Sequence, residues 1–263
     1  GHLLYAWLDK ASDPGKPICE WLWEGAPAGL TKGYECLDGL FPRVKPESLD
    51  IDHNDLSTDM ESFTNYAGVE EDEDVFDILK EYAAKTYLKT FKTLREVKRF
   101  LGTDPVLTKV GSGKKIKVNK KTGKSKMKCR IIVDSKQAKA SLASKRTHKS
   151  NSPSAVSTAK GFVEMMANSG FDPNQRGLEF LVIDFSDAFW MVPLAHSERK
   201  FFVIKYRGVF RVFTRSAQGS RGAPLTWAAV ASLLARVSQS LFLTKGKQCA
   251  RLQVYVDDPI LGM

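Results

Sequence analysis

The chain has 263 residues, enough for one large domain or two small ones, and 43% of them are hydrophobic, so a sizeable core can form. No apolar run approaches the roughly 18 residues of a membrane span, and the expectation is an intracellular protein without a membrane partner. The net charge of +10 is uneven: residues 1–85 hold 19 Asp/Glu and 7 Lys/Arg, whereas the remainder holds 33 Lys/Arg and 11 Asp/Glu. A tract that basic suits a polyanionic partner, because neutralising phosphates releases counterions.

Residues 1–84 read as a separate, loosely structured, acidic region. Gly25-Ala26-Pro27-Ala28-Gly29 and Phe41-Pro42 are turn signals. Glu70 to Asp74 is a charge block of the kind left solvated. Trp21-Leu22-Trp23 offers an apolar stretch to pack on the main domain. A helix is expected over about Val75–Tyr87, where Ile78, Leu79, Tyr82 and Ala83 recur at helical spacing, and a second over Thr93–Leu101. Lys109–Val118 and Lys128–Asp134, joined through a turn containing Gly123, read as a hairpin with basic edges. Residues 135–158 are expected as a loop. Residues 159–168 are expected as a short amphipathic helix with Phe162, Met165 and Met166 inward.

Phe180–Ile183 is a continuous apolar run and reads as a central strand covered on both faces. Phe201–Tyr206 and Val209–Phe213 flank Arg207-Gly208 as a hairpin. Pro224 opens a long helix over about 225–243, since proline is tolerated in a first turn. Leu252–Val256 alternates like a strand, followed by Asp257-Asp258-Pro259 as a turn and Ile260-Leu261 as the returning strand. This order is an α+β layout without internal repeats.

Cys19, Cys36, Cys129 and Cys249 form no Cys-x-x-Cys pair and the four His are scattered, so reduced cysteines are expected, with neither a zinc site nor a disulfide framework. The chain starts without Met or a basic leader and stops among apolar residues. Both ends therefore read as cuts in a longer chain, such as a polyprotein fragment.

Three carboxylates carry the chemistry. Asp184 follows the apolar strand, and Asp257 and Asp258 sit in the last hairpin. Adjacent carboxylates repel unless a cation or proton intervenes. If the two strands lie side by side, Asp184 faces Asp257, making a hard-oxygen site suited to Mg²⁺ with substrate phosphates. Two such ions about 3.5–4 Å apart can activate an attacking 3′-hydroxyl and stabilise leaving pyrophosphate. An Asp-Asp pair alone is more often only a turn.

Four motifs in order sharpen this. Tyr255-Val256-Asp257-Asp258 resembles the Tyr-x-Asp-Asp signature of reverse transcriptases. Val182-Ile183-Asp184-Phe185-Ser186-Asp187-Ala188-Phe189 resembles that family's first aspartate motif. Gln218-Gly219-Ser220-Arg221-Gly222-Ala223-Pro224 resembles the segment before its long palm helix, and Lys128-Cys129-Arg130-Ile131-Ile132-Val133-Asp134 its fingers strand. The resemblance covers residues 85–263 and is closer to retroelement enzymes than to viral RNA replicases. It implies the fingers and palm of a right-hand polymerase, with an antiparallel palm sheet packed on helices and no thumb after Met263. It also implies an RNA or DNA template with primer, deoxynucleotides, and two Mg²⁺ ions, with Mn²⁺ as a substitute.

By that resemblance Asp184 and Asp257 hold both metals, Asp258 supports them, and the Phe185 backbone N–H sits beside a metal-bound phosphate. Arg130 clamps the triphosphate with its planar fork, and Lys128 is a second cation for that task. Phe189 packs against the sugar C2′ and excludes a 2′-hydroxyl. Gln218 lines the pocket, and Asp187 positions the triphosphate through its backbone. Lys114, Lys115, Lys117, Lys120 and Lys121 are assigned to the nucleic-acid backbone. Plain alternatives exist: Arg130 and Lys128 as solvated edge charges, Phe189 and Trp190 as core, Asp187 as a turn cap. Pro259 departs from a regular strand by removing a ladder donor. A nucleic-acid-binding remnant without synthesis is the competing reading. An RNA-dependent RNA polymerase is disfavoured by Phe189.

Overall fold

A computed structural model describes residues 1–45, 51–118, 123, 125–169, 179–217, 219–244 and 247–263. The fold mixes helices with small antiparallel sheets. Among the described residues no helix is long and apolar enough to cross a membrane.

The first helix, α1 (His2–Lys10), leads into a 3-10 turn at Lys16–Leu22. After the acidic segment, α2 spans Glu73–Ala84. Asp72 caps it by accepting from Asp74 N, and Glu73 and Asp74 in the first turn suit the positive end of the helix. Val75 and Leu79 form its buried face. It stops short of the expected Tyr87 because Thr86 takes the left-handed conformation (φ 60), which turns Tyr87 into a strand. That strand, β1 (Leu88–Phe91), has no counterpart among the expected elements; α3 (Leu94–Leu101) follows it. Thr93 and Glu96 close a capping box on α3, and Gly102 ends it at φ 72.

Next come β2 (Lys109–Val118) and β3 (Ser125–Asp134), paired from Lys109↔Asp134 to Val118↔Ser125. The expected loop 135–158 contains a one-turn helix, α4 (Ala140–Ala143), and ends in α5 (Ala155–Ser169), which starts four residues before the expected helix. Phe162 and Met165 of α5 are buried as expected. Then come β4 (Phe180–Val182), β5 (Val203–Tyr206) and β6 (Val209–Phe213). The β5–β6 turn has Arg207 at φ 49 and Gly208 at φ 70, the two positive values a tight hairpin of this twist requires. Helix α6 (Ala223–Ser240) carries Pro224 in its first turn, and short strands β7 (Leu243–Thr244) and β8 (Lys247–Gln248) come after it. The chain ends in β9 (Arg251–Tyr255) and β10 (Asp258–Gly262).

The sheets are β1-β6-β5, β4-β10-β9, and the hairpins β2-β3 and β7-β8. Two expectations change. Strand β4 is an edge strand, paired only with β10, and all three of its residues are exposed. A continuous apolar run fits a covered strand, but here β4 has a single neighbouring strand among the described residues and is covered only in part, by the Phe162 ring of α5 at 4.9 Å from Phe180. The last turn also falls one residue early. Tyr255 pairs with Asp258, so the loop is Val256-Asp257 and Asp258 already belongs to β10.

Residues 1–84 are not a loose, separate region. Leu8, Ile18, Cys19, Trp21, Tyr34 and Leu37 share one core with Leu225, Trp227, Val230 and Leu233 of α6. Arg236 of α6 pairs with Asp13 at 3.0 Å. Gly25, at φ 95, lies so close to the backbone of Leu194 and Ala195 that a Cβ would stand 2.5 Å from it. The buried Glu198 carboxylate accepts N–H groups from Ala28, Leu30, Thr31 and Lys32. The acidic block is engaged as well. Asp72 accepts from Ser112 and Lys114, and Glu73 pairs with Arg207 at 2.6 Å.

Candidate active site

A cleft of about 420 Å³ opens between α2, β3, the segment after β4 and the β9–β10 loop. Its floor is aromatic. Trp190 lies 4.8 Å from Tyr82, stacks on Tyr87 at 5.8 Å and meets Phe213 at 5.4 Å, so it is core, with the cleft above it.

Asp184 and Asp257 line this cleft together. The juxtaposition is made by backbone bonds: Ile183 N donates to Pro259 O at 2.9 Å, and Phe185 N donates to Asp257 O at 2.9 Å. Asp184 is thus bracketed between two links to the β9–β10 hairpin. Pro259 keeps its place because it needs only to accept there. The Phe185 N–H, expected to face a phosphate, is committed to Asp257 instead. Asp258 is set in β10 and does not line the cleft.

Among the described residues no group of three His, Cys, Asp or Glu side chains is gathered closely enough to hold a metal ion. Two carboxylates on one open cleft nevertheless fit Mg²⁺, which takes one or two carboxylates and fills its other positions with water and substrate phosphates.

Lys128 and Arg130 of β3 line the same cleft. They alternate along β3 on its solvent face, whereas Ile131 and Val133 turn inward. Lys115 pairs directly with Lys128, so it belongs to that outer face. Lys114 pairs with Cys129 and does not. Its ammonium bridges Asp72 at 3.0 Å and Asp74 at 2.9 Å, which ties the hairpin to the N-terminus of α2. Lys114 is therefore occupied with α2 instead of being free for a phosphate backbone. Lys120, Lys121 and Gln218 lie outside the described residues, as does the side chain of Lys117.

Phe189 is half-buried and lines both the cleft and a second, largely apolar cavity of about 360 Å³. Small side chains on α6, Ala228, Ala231 and Ala235, leave room for that cavity. Asp187 sits at φ 59 before a 3-10 turn at Ala188–Met191, without a side-chain cap bond. Its carboxylate instead meets Lys85 Nζ at 2.7 Å and Tyr87 OH at 3.2 Å. The Lys85 ammonium holds the Asp187 carboxyl below the usual range, and the Asp187 and Glu81 carboxylates hold Lys85 above its own. Burial pushes the Tyr82 phenol up to about 12.

Two residues at the site had no sequence signal. Lys85 ends α2 and shows no periodicity that sets it apart. Trp227 of α6 donates its indole N–H to Val256 O at 2.6 Å, and its ring meets Phe185 edge-on at 5.3 Å. Val256 takes φ 56, where a β-branched side chain costs ~1–3 kcal/mol.

No protein-family model matches this chain, and no curated protein matches it.

Proposed function

We propose that the chain is the fingers-and-palm core of an RNA-directed DNA polymerase, adding deoxynucleotides to a primer 3′-end. The observation that supports this reading is one cleft lined by Asp184 and Asp257 and, from β3, by Lys128 and Arg130. Carboxylates and cations on one cleft are what a nucleotidyl transfer site requires: hard oxygens for divalent ions, and donors for the triphosphate. The motif order Arg130, Asp184, then Asp257 within a Tyr-Val-Asp-Asp sequence supports the same assignment.

In this reading Asp184 and Asp257 would hold two Mg²⁺ ions, whose chemistry there would be to activate the 3′-hydroxyl and offset charge on the departing pyrophosphate. Arg130 presents two parallel donors to the triphosphate, with Lys128 beside it as a point charge. Phe189, at the edge of the cleft, occupies the space a 2′-hydroxyl would need and favours deoxynucleotides. Lys115 on the outer face of the hairpin meets the nucleic-acid backbone.

The test is Mg²⁺-dependent extension of a DNA primer on an RNA template by the chain and by a D184N/D257N variant. Extension by the first and none by the second is the expected result. Salt-sensitive binding of primer-template that survives D184N/D257N, with no extension by either, would replace this reading with that of a non-catalytic binding remnant.

A further inference from the structure

We infer that Trp227 is the positioning residue of the aspartate loop, its indole N–H fixing Val256 so that Asp257 stays opposite Asp184. This deepens, and for its catalytic part rests on, the polymerase reading. The loop between β9 and β10 has two residues, Val256 and Asp257, and the first takes φ 56. A glycine would sit there without cost, and valine does so only where its surroundings impose the conformation. One such imposing contact is the 2.6 Å bond from Trp227 Nε1 to Val256 O.

The same ring meets Phe185 edge-on at 5.3 Å. Phe185 follows Asp184 and donates its backbone N–H to Asp257 O at 2.9 Å. One indole therefore touches both segments that carry the cleft carboxylates. Trp227 itself has little freedom, being 3% exposed and packed in the α6 core. If it were only a core residue, replacement by phenylalanine would cost a cavity, and that cost would not depend on the residue at position 256. Phenylalanine lacks the N–H, so the two roles separate experimentally.

The experiment combines Trp227→Phe with Val256→Gly, which removes the φ penalty, in a double-mutant cycle. Urea unfolding should show coupling, with Trp227→Phe more destabilising in the V256G background than in the wild type, where release of the strained φ offsets part of the lost bond. Mn²⁺ binding, followed by the electron paramagnetic resonance of the free ion, should weaken about tenfold in W227F, the scale of one lost hydrogen bond, and recover in W227F/V256G. Primer extension should lose about tenfold in kcat in W227F with little change in deoxynucleotide KM, and recover likewise. By NMR, the Trp227 indole N–H, identified by its loss in W227F, should exchange with deuterium more slowly than those of the exposed Trp7 and Trp23.

Additive unfolding effects, unchanged Mn²⁺ binding in W227F, or an indole proton exchanging as fast as those of Trp7 and Trp23 would each overturn the inference. The two readings fail separately. A wild type that extends no primer but shows the coupling and the protected indole loses the polymerase reading and keeps the loop-positioning one.

Discussion

Glu198 is a fully buried carboxylate whose position is justified only by its partners. Four backbone N–H groups from residues 28–32 and the Thr31 hydroxyl converge on it, tying the N-terminal segment to the 3-10 turn at His196–Phe201. Glu198→Gln keeps the shape but offers one acceptor oxygen and turns an NH₂ toward existing donors. It is expected to cost ~2–3 kcal/mol, read as a lower urea midpoint; an unchanged midpoint would remove the carboxylate from the fold's support. In the sequence Glu198 sits in the charged run His196-Ser197-Glu198-Arg199-Lys200, which looks solvated. Its partners lie more than 160 residues away, and no local pattern announces them. Asp184 and Asp257 were legible through the ordered motifs that contain them, since an Asp-Asp pair in a hairpin is by itself more often only a turn. Lys85 and Trp227 were not, because each acts through a residue distant in sequence. At the cleft, Arg130→Ala is expected to raise the deoxynucleotide KM about tenfold while leaving kcat nearly intact, since the loss is mainly of a charge-assisted binding contact. An unchanged KM would return Arg130 to the status of a solvated edge charge.

The β2–β3 hairpin shows how one element divides a run of like charges between two tasks. Strand alternation puts Lys115, Lys128 and Arg130 on the outer face, and sends Lys114 to Asp72 and Asp74. Composition alone treats these cations as equivalent. The register between the strands distinguishes them, and reading it off requires knowing which residues of β3 face the core. The prediction is a difference in salt dependence. Lys115→Ala should weaken binding of primer-template and reduce the slope of log K against log salt by about 1. Lys114→Ala should leave that slope unchanged and lower the urea midpoint instead. Equal effects on the slope from Lys114→Ala and Lys115→Ala would mean that the hairpin turns both faces to the nucleic acid. Strand β4 is the opposite case, where the sequence misled. Four consecutive apolar residues suit a covered central strand, yet Phe180 to Val182 form an exposed edge. Periodicity reports that a segment is apolar on both sides, but not how many neighbours the topology provides.

At the scale of the whole molecule, several ion pairs join segments far apart in sequence, and this fixes how stability should respond to acid. Asp13 pairs with Arg236 across 223 residues, and its carboxyl is held below the usual range chiefly by that guanidinium. Asp38 accepts from Arg43 and shares a hydrogen bond with the buried His148, which together bring it down to about 2. Asp187 is lowered by Lys85 and Asp72 by Lys114. A carboxylate whose folded value is depressed contributes stability above its unfolded value, near 3.8, and loses it as pH falls through the folded value. Glu198 has the opposite sign. Burial raises its carboxyl despite the four N–H groups that pull it back, so its contribution is full below about 4.5 and declines as pH rises through its folded value. Asp13, Asp38, Asp72 and Asp187, joined by Asp52, Asp59, Glu96 and Asp134, are depressed carboxylates that outnumber the one raised carboxylate among the described residues. The free energy of unfolding should therefore fall steeply between pH 4 and pH 2 and change little between pH 6 and pH 8. Urea titrations at each pH measure this directly. D13N/D38N should start lower at neutral pH and lose less on acidification, because two of the protonations that drive the loss are gone. A wild-type profile that is flat from pH 4 to pH 2, or a variant that loses as much as the wild type, would show that these long-range pairs do not hold the N-terminal segment to α6 and to residues 147–149 in the way their geometry indicates.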